Sequence, residues 1–280
     1  TNLNVSRCTR LTNLLLSESE CKELTTLNAF GCEKLTTLNV SECTQLQELN
    51  VSQCKGLTTL DVSGCKILKT LWVIRCEKIT GTLDVSQCEE LTELNVSQCT
   101  GLTTLNAVNC TQLTTLNLPN CKELTSLNIS GCTELIAFNP YGCTGLTNLN
   151  VSGCTRLTNL LLSESECKEL TTLNAFGCEK LTTLNVSECT QLQELNVSQC
   201  KGLTTLDVSK CTQLHTLNAV NCTQLRTLNV YGCKELTSLN VSGCNALQRL
   251  KISRFKLQQD HSVIVTLPKQ LIRVYKINKS

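Results

Sequence analysis

The chain has 280 residues, and its composition argues against a rounded core: aromatics are 3%, Met is absent and Cys occurs 22 times. So few large side chains cannot fill a spherical interior of this size, whereas a thin elongated core of Leu, Val and small residues needs none. The formal net charge of +2 offers no long-range attraction to nucleic acid or an anionic membrane, and no apolar run approaches the ~18 residues that read as a membrane span.

In chain order, Leu3 and Val5 belong to an incomplete first unit. The cysteines then recur every 11 residues from Cys21 to Cys76, from Cys88 to Cys154 and from Cys167 to Cys244. Insertions interrupt the grid near Glu18 and Ser19, near Gly81, and again near Glu164 and Ser165. Units of this kind cannot bury their apolar face alone and must stack on neighbours. In residues 35–43, LTTLNVSEC, alternation predicts a short strand with Leu38 and Val40 inward and Thr37, Asn39 and Ser41 outward. Leu35 and Cys43 turn inward at the corners.

A ring of 11 residues could not enclose two Leu, a Val and a Cys at interior packing density. Two units per turn do so. The expected fold is therefore mainly β: a parallel β-solenoid of 22-residue coils, each made of two 11-residue strand-turn units, with strands ~4.8 Å apart along the axis. Residues 147–209 repeat residues 1–63 almost verbatim, thirteen units later. Thirteen is odd, so a segment on one sheet in the first copy falls on the other in the second. That swap predicts equivalent half-coils and a nearly straight rod. In the last unit Phe255 stands where Cys is due, and residues 261–277, HSVIVTLPKQLIRVYKI, read as a β-hairpin around a Pro turn. The expected organisation is a solenoid over 1–254 and a capping segment over 255–280.

The segment 35–46, LTTLNVSECTQL, resembles the LxxLxLxxCxxL form of the leucine-rich repeat, and the resemblance covers residues 3 to about 254. It is most similar to bacterial repeats with two near-identical halves, the IRREKO class, whose LDVS wording recurs at Asp61–Ser63 and Asp84–Ser86. Cys replaces nearly every ladder Asn, and no longer helical segment is present. The resemblance implies a protein that binds or adheres, with a protein partner, and a secreted or bacterial cell-surface location.

Cysteines at one corner recur every 22 residues, which places their Cα atoms ~4.8 Å apart, within disulfide range. Parallel in-register side chains would strain such a bridge, so free buried thiols acting as small hydrophobes are expected. Free thiols favour a reducing compartment. No CxxC pair or neighbouring His closes a tetrahedral site, so no metal and no cofactor are expected. The NxS triplets at Asn39, Asn50, Asn95, Asn128, Asn150, Asn185, Asn196 and Asn240 are too dense on packed strands for sugars and read as by-products of the repeat. The two histidines, His215 and His261, have no acid or nucleophile at recognisable spacing. Catalysis is not expected.

Sorting alternate units separates two faces. One carries Phe30, Trp72, Ile74, Pro119, Tyr141, Leu161 and Tyr231. Trp72, the only Trp, replaces the strand Asn and is flanked on its sheet by Glu48 and Glu93, so Trp72, Ile74, Glu48, Glu93, Tyr141 and Tyr231 are the candidate partner-binding residues. Random drift in a tolerant repeat accounts for scattered aromatics equally well. The other face is mainly polar, interrupted by Leu15, Val108, Phe176 and Val220. Its array of Thr37, Asn39, Thr59, Thr82, Thr104, Asn106, Ser126 and Asn128 suggests ice binding as the alternative function.

From Arg249 onward eight Lys or Arg stand against the single Asp260, a basic tail on a mildly acidic body. An apolar end at Leu3, Val5 and Leu14 is covered either by an upstream segment or by another molecule, and in the second case salt-sensitive head-to-tail association follows.

Overall fold

The computed structural model describes residues 1–16, 21–162, 165–252 and 264–266. Every named element among them is a short parallel β-strand. Contacts divide the chain into two units, residues 1–146 and 147–280.

In the first unit β1 (Asn2–Asn4), β2 (Thr26–Asn28), β4 (Glu48–Asn50), β6 (Thr70–Trp72), β8 (Glu93–Asn95) and β10 (Thr115–Asn117) pair in that order into a six-stranded sheet. The alternate half-coils give β3 (Thr37–Asn39) paired with β5 (Thr59–Asp61), and β7 (Gly81–Asp84) followed by β9 (Leu102–Asn106) and β11 (Ser126–Asn128). In the second unit β12 (Asn148–Asn150), β14 (Thr172–Asn174), β16 (Glu194–Asn196), β18 (Thr216–Asn218), β20 (Ser238–Asn240) and β22 (Ile264–Thr266) pair in order. Its other half-coils give β13 (Asn159–Leu161) with β15 (Thr183–Asn185), and β17 (Thr205–Asp207), β19 (Thr227–Asn229) and β21 (Arg249–Lys251).

Paired residues lie 22 apart, as in Leu27↔Leu49 and Leu195↔Leu217. The 22-residue coil expected from volume is the one found. The Ser-Glu insertions widen the step without moving the register, since Leu3 still faces Leu27 and Leu149 still faces Leu173. Inside, the expected alternation holds: Leu35, Leu38, Val40 and Cys43 are all buried. β22 adds a parallel strand beyond β20. Phe255, His261 and the rest of the expected hairpin lie outside the described residues.

Two hydrogen-bond ladders explain the invariant letters of the repeat. The Asn or Asp that ends most strands accepts, through Oδ1, the backbone N–H two residues on: Ser41 to Asn39 at 2.8 Å, Ser63 to Asp61 at 3.0 Å, Ser198 to Asn196 at 3.0 Å. This Asx turn bends the chain off the strand without leaving a donor unpaired. The following Cys then serves the corner carbonyl. The Val51 carbonyl accepts the Cys54 N–H at 3.2 Å from its own coil and the Cys76 thiol at 3.1 Å from the next. The Val197 carbonyl does the same with Cys200 N–H and the Cys222 thiol. Cys fits because it is a small apolar side chain with one weak donor, enough for a carbonyl that has two lone pairs. All 22 thiols are free, and all but Cys8 are buried. Burial pushes Cys54, Cys65 and Cys200 up to about 12.

The half-coils are alike in length but not in their corners, which corrects the expected equivalence. Along the six-stranded sheet the residue before Cys is left-handed in every coil, from Arg7 (φ 59) and Gly31 (φ 71) to Gln98 (φ 61) and Gly142 (φ 71). Its N–H then reaches the next coil, as from Gly31 to the Ser52 carbonyl at 2.8 Å and from Gln53 to the Ile74 carbonyl at 2.7 Å. Pairing thus runs two residues past the strand. At the alternate corners Glu42, Gly64 and Gln87 have no left-handed φ while Asn109 and Gly131 do, and the strands of these half-coils part between β5 and β7, where the register shifts at Gly81 and Thr82.

Candidate protein-binding face

The six-stranded sheet of the first unit is the longest unbroken surface of that unit, and its outward strand positions are Thr and Asn with few exceptions. The exceptions cluster. Trp72 stands between Asn50 and Asn95 in the register, and Thr70 beside it stands between Glu48 and Glu93. The half-buried indole donates its Nε1–H to Glu93 Oε1 at 2.8 Å. Trp72 cannot make the Asx turn that Asn makes. Ile74, two residues on, instead sends its N–H to the hydroxyl of Ser52 in the preceding coil, at 3.3 Å. The outward strand positions of this sheet carry no cation: Glu48 and Glu93 are their only charged residues.

Glu48, Trp72, Ile74 and Glu93 are therefore brought together as the sequence suggested. Tyr141, about half exposed, lies in the same row as Ile74 but three coils further on, past Ser97 and Pro119. At ~4.8 Å per coil that is ~14 Å away, too far to share a contact with Trp72. Tyr231, 68% exposed, belongs to the second unit, beyond Asn229 of β19.

Three residues escaped the sequence reading as a group: Phe176, Ser198 and Val220. Phe176 and Val220 read as interruptions of a polar face. In the second unit they flank Ser198, whose hydroxyl accepts the Val220 N–H at 3.2 Å, matching Ile74 on Ser52. The signal was present in the duplication, since the same offset carries Phe30, Ser52 and Ile74 onto Phe176, Ser198 and Val220.

The ice-binding array is corrected by the topology. Thr37 faces Thr59, and Thr82 faces Thr104, which faces Ser126. β5 and β7 belong to separate sheets, and the register shifts at Gly81 and Thr82. Two short patches replace the single lattice. The amides are also engaged: Asn39, Asn106 and Asn128 each accept a turn N–H, and Asn106 Nδ2 donates to Asp84 Oδ2 at 3.1 Å.

Among the described residues no group of three or more His, Cys, Asp or Glu could hold a metal ion. None of the described helices is long and apolar enough to cross a membrane.

Parallel coils of this length, with Leu, Val and Cys inside and Asx-turned strand ends, define a leucine-rich-repeat β-solenoid. No family model and no curated protein matches the chain. Among solved structures, a leucine-rich-repeat protein of Leptospira interrogans is 20% identical over 92% of this chain and 76% of its own, with a TM-score of 0.39. The functional domain of InlJ from Listeria monocytogenes, described as including a cysteine ladder, is 26% identical over 86% and 67%, with a TM-score of 0.27. A leucine-rich-repeat protein of Bacteroides ovatus is 15% identical over 96% and 73%, with a TM-score of 0.37. Superpositions this partial carry no weight on function, and the fold stands on the strand registers.

Proposed function

We propose that the chain is a non-catalytic protein-interaction scaffold of the bacterial cell surface, and that it binds through the six-stranded sheet of its first unit, centred on Trp72 and Ile74. The observation that carries this is the placement of the only Trp at an outward position where the repeat otherwise sets Asn, on a sheet whose outward strand positions carry only acidic charges. Aromatic anchors surrounded by polar side chains are where binding energy concentrates. The near-identical half-repeats and LDVS wording support an assignment to the IRREKO-like bacterial repeats.

Trp72→Asn restores the residue of the repeat and keeps the solenoid. Partners captured by the wild-type protein and by a Thr59→Ala control on the alternate sheet should lose at least ~10-fold in affinity to Trp72→Asn, the scale of a hot-spot truncation. Equal capture by all three forms would sink the reading.

A further inference from the structure

We infer that the protein carries two binding sites of one design, one in each unit, and that each takes an extended peptide segment of a protein partner bearing an apolar side chain and, four residues away, a Lys or Arg. The inference rests on the proposed binding face and extends it to a second site and a ligand chemistry.

In the first unit β4 runs Glu48, Asn50, then Ser52 at the corner, with Phe30 and Ile74 in the coils on either side. In the second unit β16 runs Glu194, Asn196, then Ser198, with Phe176 and Val220 on either side. The backbone bonds coincide: Gly31 N–H to Ser52 at 2.8 Å and Gln53 to Ile74 at 2.7 Å in one, Gly177 to Ser198 at 2.8 Å and Gln199 to Val220 at 2.7 Å in the other. Ser52 and Ser198 are each 4% exposed, and each hydroxyl is engaged by the N–H of the apolar residue beyond it. An apolar side chain seated over either serine therefore strands no polar group.

The two flanking side chains lie two coils apart, ~9.6 Å, a gap that admits one aliphatic side chain between them. The residues next to Ile74 and Val220 differ between the units: Lys69 against His215, Trp72 against Asn218, Arg75 against Asn221. Positions 74 and 220 nonetheless both hold a β-branched apolar residue where the repeat usually sets Ser. Charge selects the other end of the ligand. Glu48 and Glu194 are exposed on the central strands, four residues before the serines and so within ~13 Å of them, the reach of four extended residues. Across the outward positions of β12, β14, β16, β18 and β20, Glu194 is the only charged residue. At the glutamate end a cation in the partner meets complementary charge in both sites, while Arg7 and Arg75 stand beside the apolar end of the first.

The test uses the peptide acetyl-Leu-Ser-Thr-Ser-Lys-amide and its counterpart with Glu in place of Lys, titrated into the whole chain with methyl-labelled Ile and Val. Two molecules of the Lys peptide should bind per chain, moving the methyl signals of both Ile74 and Val220, with Trp72 emission following the first site. Val220→Ser, the residue of the repeat, should leave one site and the full Trp72 response. Ile74→Ser should do the converse, and Glu194→Gln should weaken the second site at least threefold at low salt. Saturation at one peptide per chain, a silent Val220, or equal binding of the Glu peptide overturns the inference. If neither peptide binds while Trp72→Asn still loses its captured partner, the two-site design falls and the binding face stands.

Discussion

Residues 1–63 and 147–209 are the same sequence except for Arg7 against Gly153, yet the two stretches are buried to different degrees. Leu149, Val151, Cys154, Leu157, Leu160 and Leu162 are all buried, while Leu3, Val5, Leu11, Leu14 and Leu16 are only partly so and Cys8 is exposed. Pairing differs too. Asn159–Leu161 forms a full strand with β15, whereas its twin makes the isolated bridge Asn13↔Thr37. One coil further along the difference is gone, with Leu27 and Leu173 both closed. Local sequence therefore sets the turn and the direction of each side chain, but a second coil must be stacked on it before the core exists.

The largest expected effect is chemical. Burial raises thiols such as Cys54 and Cys200 from 9.0 to about 12, which cuts the reactive thiolate about a thousandfold, and their burial blocks the reagent besides. Titration of the native, reduced protein with a thiol reagent should show one fast group, Cys8, and the remainder only after denaturation. Cys8→Ser should abolish the fast phase. A fast phase of several thiols would mean that the coils open far more readily than their packing implies.

The second test breaks the comparison by truncating twins. Leu160→Ala removes a fully buried side chain and should cost ~2–5 kcal/mol, whereas Leu14→Ala, already partly in water, should cost less than ~1 kcal/mol. Denaturant unfolding measures both, with the midpoint shift read at constant slope. Equal losses would show that Leu14 is as well covered as its twin.

These twins also mark what the sequence could reveal. The 22-residue coil, the inward Leu, Val and Cys, the outward Thr and Asn, and the grouping of Trp72 with Ile74, Glu48 and Glu93 were legible, because each follows from a period and a volume. The corners were not. Glu42 and Gln53 occupy the same letter of the repeat, yet only Gln53 is left-handed, a choice made by whether its N–H meets a carbonyl in the next coil. The ice-binding lattice failed at an insertion. Its Thr residues repeat in the sequence, but their strands do not join across the Gly81 insertion.

A smaller effect concerns acid. Burial works against ionisation of Asp207, but hydrogen bonds from the Ser209 hydroxyl and backbone and from Asn229, with the charge of Lys251, outweigh it and hold the carboxyl below its usual value. Asp84 is held down in the same way by Ser86 and Asn106, again against the burial that opposes it. A carboxyl depressed in the folded state stabilises the fold above its unfolded value, near ~3.9, and the gain is lost as pH falls through the folded value. Asp207→Asn should therefore flatten the loss of stability below about pH 4. Because the group is largely solvated, the effect at neutral pH should be only ~0.5 kcal/mol. An unchanged acid limb in Asp207→Asn and Asp84→Asn together would show that these bonds do not persist in solution.

A last small effect on stability should come from the one position where residues 1–63 and 147–209 differ. Arg7 and Gly153 are both left-handed, at φ 59 and 72. A side chain there costs roughly 1–2 kcal/mol of strain, whereas replacing Gly recovers ~0.5–1 kcal/mol by lowering the entropy of the unfolded chain. The terms nearly cancel, so Gly153→Arg should lower stability by no more than about 1 kcal/mol. Its consequence for binding should be larger. The backbone N–H of each residue bonds the carbonyl of the adjacent Phe, Arg7 to Phe30 at 2.6 Å and Gly153 to Phe176 at 2.7 Å. The Arg7 side chain runs alongside, with Cγ 3.6 Å from the place a Cβ would take on Gly31. Phe30 is partly covered, while Phe176 is 43% exposed. Gly153→Arg adds bulk and a positive charge beside Phe176, and should weaken the Lys peptide at the second site severalfold while the Ile74 methyl response is unchanged. A second site that binds as before would show that Phe176 takes no part in it, and would narrow the apolar seat to Val220 alone.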